Sequence, residues 1–171
     1  MNAAMLTLRD LAGYRTDTQL TVEEIAGSTN SHCEPEAIGM VRYREGATAI
    51  AGAEWFSPTT GLLIIQALTL LPARRSNSLD PIREALAGCA TWQRENRTYT
   101  LTATDYGPYG DESLGFLLTI QEGGEPPTAY ATVYVRTGNL FMALQVLGAG
   151  RTTPLGAEAI FDRAARKLPR P

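Results

Sequence analysis

The sequence predicts an α+β fold, one antiparallel sheet of about seven strands covered by two main helices. Three observations predict it. Segments that alternate apolar with polar residues, or are rich in β-branched and aromatic ones, recur along most of the 171 residues. Turn residues separate them at hairpin length, among them Glu45-Gly46, Ser57-Pro58-Thr59-Thr60-Gly61 and Thr137-Gly138-Asn139. Only two long stretches switch to helical spacing, Asn77 to Gln93 and the segment that starts at Thr153-Pro154. Hairpin loops join antiparallel neighbours, and the helical stripes need a sheet face to cover them, so the expectation is one layer of helix on sheet. No internal repeat or low-complexity stretch divides the chain, so 1–171 reads as one domain.

The elements follow in order. Thr7 can cap a short helix over Leu8 to Ala12, with Gly13 as its left-handed stop. Tyr14 to Val22 alternates as a half-exposed strand, and Glu23 to Glu36 is a polar connection. Ile38–Arg44 and Ala47–Phe56 are strand-like, and Leu62 to Leu71 reads as an apolar central strand. In the first long helix Asp80 is the expected N-cap and Pro81 the first helical residue, where its missing N–H costs nothing. Ile82, Leu86 and Cys89 then share its apolar face, with Trp92 or Gln93 next. The second half is a meander over Arg97–Asp105, Leu114–Gln121, Ala129–Arg136 and Leu140–Leu147. The final helix turns Ile160, Phe161, Ala164 and Leu168 inward and ends on Arg163, Arg166 and Lys167, which suit the negative end of its dipole. Ile82, Leu86, Ile160, Phe161 and Leu168 are expected on one face of the sheet.

Composition removes several function classes. The longest apolar run, Gly61 to Leu71, is broken by Gln66 and Thr69 and closed by Pro72, whereas a membrane helix needs ~20 apolar residues. Met1 to Met5 has neither the basic nor the apolar region of a signal peptide. Net charge is −3 with no block of Lys or Arg, which argues against nucleic acid as a partner. One histidine and two cysteines leave little for metal or triad chemistry, and no cofactor motif is present. His32, Cys33, Glu34 and Glu36 lack zinc-ligand spacing and read as a polar loop. Around Ser113 the glycine spacing of a hydrolase elbow fails by one residue.

What remains is a set of candidate contacts. Tyr106 and Tyr109, held by Gly107, Pro108 and Gly110, offer flat faces and hydroxyls at low entropic cost. With Trp55, Phe56 and Asp111 they supply the mostly apolar mixture of a small-molecule pocket. Asp105, Asp111 and Glu112 flank the same loop and could serve as acid and base, or simply stabilise a turn. Cys33 and Cys89 admit three readings from the residues alone: a disulfide, two inert thiols, or a nucleophile beside His32.

Several stretches together carry a family resemblance. Leu6-Thr7-Leu8-Arg9-Asp10-Leu11-Ala12-Gly13-Tyr14 resembles a "DLPGY" start, and Cys33 with Cys89-Ala90-Thr91-Trp92 a cysteine paired with a later "C-x-x-W". Tyr109-Gly110-Asp111-Glu112-Ser113 and Val133-Tyr134-Val135-Arg136-Thr137-Gly138-Asn139-Leu140 resemble the "GD-E/S" and "V-x-V-R-x-G-x-L" segments. In this order they are similar to actinobacterial secreted or lipid-anchored sensor-domain proteins, relatives of the extracellular sensor domain of a mycobacterial Ser/Thr kinase. The resemblance implies an antiparallel sheet flanked by helices, an intramolecular Cys33–Cys89 bridge and an extracytoplasmic site for a small molecule. It supplies no catalytic residue. The export segment or anchor cysteine that it implies upstream is not in this chain, so the expectation is a trimmed exported protein or a cytoplasmic relative. Three function classes therefore stand: a non-enzymatic ligand-binding domain, a small biosynthetic enzyme such as a cyclase that works by positioning its substrate, and an interaction subunit that pairs through a sheet edge or helix face.

Overall fold

The computed structural model describes residues 2–19, 33, 46–72, 78–148 and 156–169. The expectations placed on His32, Glu34 and Glu36, on the strand at 38–44, and on Thr153-Pro154 lie outside the described residues. The strands are β1 (Arg15–Gln19), β2 (Ala49–Phe56), β3 (Leu62–Leu70), β4 (Thr91–Arg94), β5 (Arg97–Ala103), β6 (Glu112–Glu122), β7 (Thr128–Thr137) and β8 (Leu140–Gly148). The helices are α1 (Asp80–Leu86) and α2 (Ala157–Ala165).

All eight strands form one sheet in the order β1-β2-β3-β8-β7-β6-β5-β4, every neighbouring pair antiparallel. The first three strands meander, the connection through α1 crosses to the far edge, and the chain meanders back until β8 pairs with β3. The class is α+β, as the pattern predicts. A two-residue hairpin joins Thr137 to Leu140, with Gly138 at φ 57°, a conformation that favours glycine.

The single helical layer is corrected by the core. Along β8, Leu140, Met142, Leu144 and Val146 share one hydrophobic cluster with Ile160, Phe161 and Leu168 of the α2 region. Phe141 and Ala143, the alternate residues, belong to a second cluster with Leu79, Ile82 and Leu86 of the α1 region. Side chains on a strand alternate between faces, so the two helices cover opposite sides of the sheet. That is why β7 and β8 are buried along nearly their whole length. The α2 face is completed by Ala4, Leu6 and Leu11, pinned by a buried glutamine: Gln66 Oε1 accepts the Leu6 N–H at 2.8 Å.

Two local expectations also change. Around Thr7 the chain forms a turn instead of a helix, with the Thr7 carbonyl accepting the N–H groups of Asp10 and Leu11. Helix α1 stops at Leu86, seven residues before the end its spacing suggests. Beyond it Thr91–Arg94 pairs with Arg97–Thr100 across a two-residue turn, and the Trp92 ring stacks on Tyr99 at 5.1 Å. Stacking across a hairpin outweighs the helical spacing. Asp80 is the first helical residue and not the N-cap, which is Leu79. The Leu79 N–H is satisfied from the sheet, by Glu112 Oε2 at 3.0 Å.

Cys89 lies in the turn after α1 and is bonded to Cys33, with Cα atoms 5.4 Å apart. Of the three readings of the cysteines, the bridge is the one adopted. It staples residue 33 onto the α1 side of the sheet.

Candidate functional site

The site grows from the point where β5 leaves β6. Their pairing runs to Ala103↔Phe116, and the Thr104 N–H reaches the Gly115 carbonyl at 2.9 Å. The chain then departs: Asp105 Oδ1 accepts the Gly107 N–H at 2.9 Å, Gly107 sits at φ 122°, and Pro108 has no N–H to offer a ladder. The upper edge of β6 is left with a notch.

Tyr106 closes one side of the notch. Its ring meets Phe161 of α2 edge-on, with centroids 4.9 Å apart, and it lies against Gly115. A Cβ at Gly115 would stand 2.4 Å from the Thr104 carbonyl and 2.6 Å from the Tyr106 ring, so only glycine fits this close approach. Ser113 braces the loop by donating to the Gly107 carbonyl at 3.0 Å and accepting the Tyr109 N–H at 3.3 Å. The Tyr109 phenol reaches Asp162 of α2 at 2.8 Å.

The result is a cleft of about 310 Å³ lined by Asp105, Tyr106, Ser113 and Val133, with Ala103 and Leu114 also in its walls. Ala103 and Leu114 also line a second depression of about 350 Å³, bounded by Arg83, Leu86, Leu101 and Phe116. The two depressions share these two residues in their walls. The first opens at the Tyr106 loop and reaches Gly115 and Val133, on the α2 face of the sheet, whereas the second lies beside α1 on the other face. Asp105 borders the first and Arg83 the second, so the site sets a carboxylate and a guanidinium among mainly aliphatic and aromatic walls.

The charged groups around it are unequal in freedom. Asp111 Oδ2 accepts from Arg136 Nη1 at 3.0 Å and from the Gly138 N–H at 2.7 Å, which clamps the β7–β8 hairpin. Glu112 holds the start of α1 and faces both Arg136 and Arg83. Asp105 is exposed, and beyond its turn bond to Gly107 no further partner among the described residues holds it. Burial pushes the Tyr106 phenol above its ordinary value, with Glu158 adding to the effect against a hydrogen bond with Thr104. Burial, then Asp162, Glu158 and Asp105, push Tyr109 further in the same direction. Both phenols stay protonated at neutral pH, so they donate hydrogen bonds and are poor bases or nucleophiles.

With this geometry in place the molecule can be compared with known proteins. No protein-family model matches the sequence, and no curated protein matches it. Among solved structures, the extracellular domain of PknH from Mycobacterium tuberculosis superposes with a TM-score of 0.67, covering 98% of this chain and 93% of that one at 15% identity. The fold is that of the PknH extracellular domain. The relation expected from the short motifs is thus present at the level of the fold.

Within the PknH-type fold the candidate residues separate into two groups. Tyr106, Tyr109 and Asp111 come together at the β5–β6 loop, where Tyr106 lines the cleft and the other two tie the loop to α2 and to the β7–β8 hairpin. Trp55 and Phe56 lie on β2, four strand positions away from β6. Trp55 is buried on the α2 face, and Phe56 is exposed. Arg83, Leu86, Leu101 and Phe116 of the second depression were not among the candidates. No sequence signal separates Leu86, Leu101 and Phe116 from ordinary core positions, because an apolar wall and a core residue share one pattern.

Proposed function

We propose that this chain is an extracytoplasmic, sensor-like domain that holds a small molecule in the adjacent depressions beside the Tyr106 loop and α1 and leaves it chemically unchanged. The adjacency of the two depressions, which share Ala103 and Leu114, supports this reading. Apolar walls with one charged group bordering each depression fit a largely apolar molecule with a hydrogen-bond donor or cation at Asp105. The PknH-type fold supports a sensor-like role over the whole of 1–171. The disulfide supports an exported or lipid-anchored setting, since such bridges persist in oxidising compartments. The engagement of Asp111 and Glu112 in structural bonds, and the raised phenols, favour binding over turnover.

Calorimetry with a panel of largely apolar amines and amides, followed by mass spectrometry of the recovered ligand, tests the reading. The expected outcome is an unaltered ligand whose affinity falls in Tyr106→Ala, Asp105→Asn and Leu101→Gln. Binding that is indifferent to all three moves the site elsewhere. A ligand recovered chemically altered, with the alteration abolished in Asp105→Asn, replaces this function with the cyclase-like enzyme.

A further inference from the structure

The end of α2 and the turn around Thr7 enclose a separate depression of about 430 Å³, on the other side of α2 from its contacts with the Tyr106 loop. It is lined by Arg9, Asp10, Arg163, Arg166 and Lys167. Four cations face one carboxylate, on a chain whose net charge is −3. Asp10 is held through one oxygen: its Oδ2 accepts from the Thr7 N–H at 2.8 Å, the Thr7 hydroxyl at 2.7 Å and Lys167 Nζ at 2.6 Å. Arg163 donates to the Asp10 backbone carbonyl at 3.0 Å. Asp10 thus latches the turn to the helix and neutralises one of the cations. Arg9 and Arg166 are exposed and have no acceptor among the described residues.

A second observation lies beside them. Leu8 precedes Arg9 in the same turn and is 50% exposed, the most exposed large hydrophobic residue among those described. Guanidinium forks are suited to phosphate, and an exposed leucine next to them is suited to the boundary between headgroups and acyl chains. A soluble anion gives Leu8 nothing to enter. Acidic groups elsewhere on the molecule that lie beyond the Debye length of about 8 Å are screened from this face.

We propose that the face formed by Leu8, Arg9, Arg163, Arg166 and Lys167 docks on the phosphate headgroups of an anionic lipid layer. This surface is independent of the proposed ligand site and stands or falls apart from it. The full chain is sedimented with vesicles of phosphatidylcholine alone and with phosphatidylglycerol mixed in, over a range of salt. Partition onto the anionic vesicles only, weakened by salt, is expected. Each cation near such a surface contributes roughly fivefold, so Arg9→Gln with Arg166→Gln lowers partition by roughly 25-fold. Neither side chain has an acceptor among the described residues to lose, so the double variant keeps the thermal midpoint of the parent. Leu8→Ser lowers partition while leaving its salt dependence unchanged. The proposal is overturned by equal partition onto neutral vesicles, by absence of partition onto anionic ones, or by a double variant that partitions like the parent. Displacement from the vesicles by soluble glycerol phosphate overturns it too, by making the depression a pocket for a free phosphate ester.

Discussion

The Tyr109 phenol reaches Oδ1 of Asp162 on α2 at 2.8 Å while the Tyr106 carbonyl lies 2.6 Å from the same hydroxyl. One proton serves two acceptors, and ionisation would set a phenolate against both. The folded state therefore holds the Tyr109 proton more tightly than the unfolded chain, first through burial and then through Asp162. A group whose value is raised on folding contributes its stability in full below its unfolded value, near 10 for tyrosine, and loses it as pH rises toward the folded value. The protein is expected to weaken above about pH 10, and Tyr109→Phe to reduce that alkaline loss while costing about 1 kcal/mol at neutral pH. Denaturant midpoints measured across the alkaline range check both statements. An unchanged alkaline slope in Tyr109→Phe excludes this phenol as the source.

Asp10 gives the opposite sign at the acid end. Burial pushes its carboxyl up, but the hydrogen bonds from Lys167 and Thr7 outweigh burial and hold it below the usual carboxylate range. Its contribution is present above the unfolded value, near 4, and disappears as pH falls through the folded one. Asp10→Asn should flatten the acid limb of the stability profile and leave the alkaline limb alone. A variant with the parent's acid limb would mean that the latch between turn and helix adds nothing.

Gly115→Ala tests the notch. The added methyl lands on the Thr104 carbonyl and the Tyr106 ring, and Thr104 is held close by the bond from its own N–H to the Gly115 carbonyl, so it cannot retreat cheaply. A loss of about 1–3 kcal/mol is expected, with the Tyr106 ring moved off Phe161. Near-parent stability together with unchanged aromatic chemical shifts for Phe161 would show that the strands separate there without strain.

The strands of the meander were legible to within about two residues, because Gly138 and the 123–127 turn mark the ends of period-two segments. The end of α1 was not. Ile82, Leu86, Cys89 and Trp92 keep a helical spacing by coincidence, and only the pairing of Trp92 with Tyr99 shows that the last of them belongs to a strand. The side of the sheet on which each helix lies was equally hidden. Strands buried on both faces, such as β7 and β8, read the same whether two helices share one face or take one each. At the site, Gly107, Pro108 and Gly110 flagged the Tyr106–Tyr109 loop, but the apolar walls looked like core. The basic face was invisible, since Arg163 and Asp10 stand 153 residues apart in the chain.

The disulfide spans 56 residues of chain. In the chain-entropy model, closing a loop of that length restricts the unfolded state by about 4 kcal/mol. Cys33→Ala with Cys89→Ala, or reduction of the parent, should lower stability by about that much, and reductant should leave the double variant unaffected. A midpoint that ignores reductant in the parent would mean the bridge does not form in solution.

The two-sided core makes a quantitative demand. Leu86 of α1 and Phe161 of α2 are both buried, on opposite faces of the sheet, and belong to separate clusters. Leu86→Ala should cost about 2–5 kcal/mol and Phe161→Ala about 3–5, each from lost burial and the cavity left behind. With a sheet between them the two sites share no packing neighbour, so their effects should add to within about 0.5 kcal/mol. Residues in contact on one face would show a coupling of about 0.5–3 kcal/mol. To keep the double variant folded, the cycle can be run with the gentler Ile82→Val and Ile160→Val, which each cost about 0.5–1.5 kcal/mol. Coupling well above the additive limit in either cycle would put both helices on one side of the sheet and restore the single helical layer.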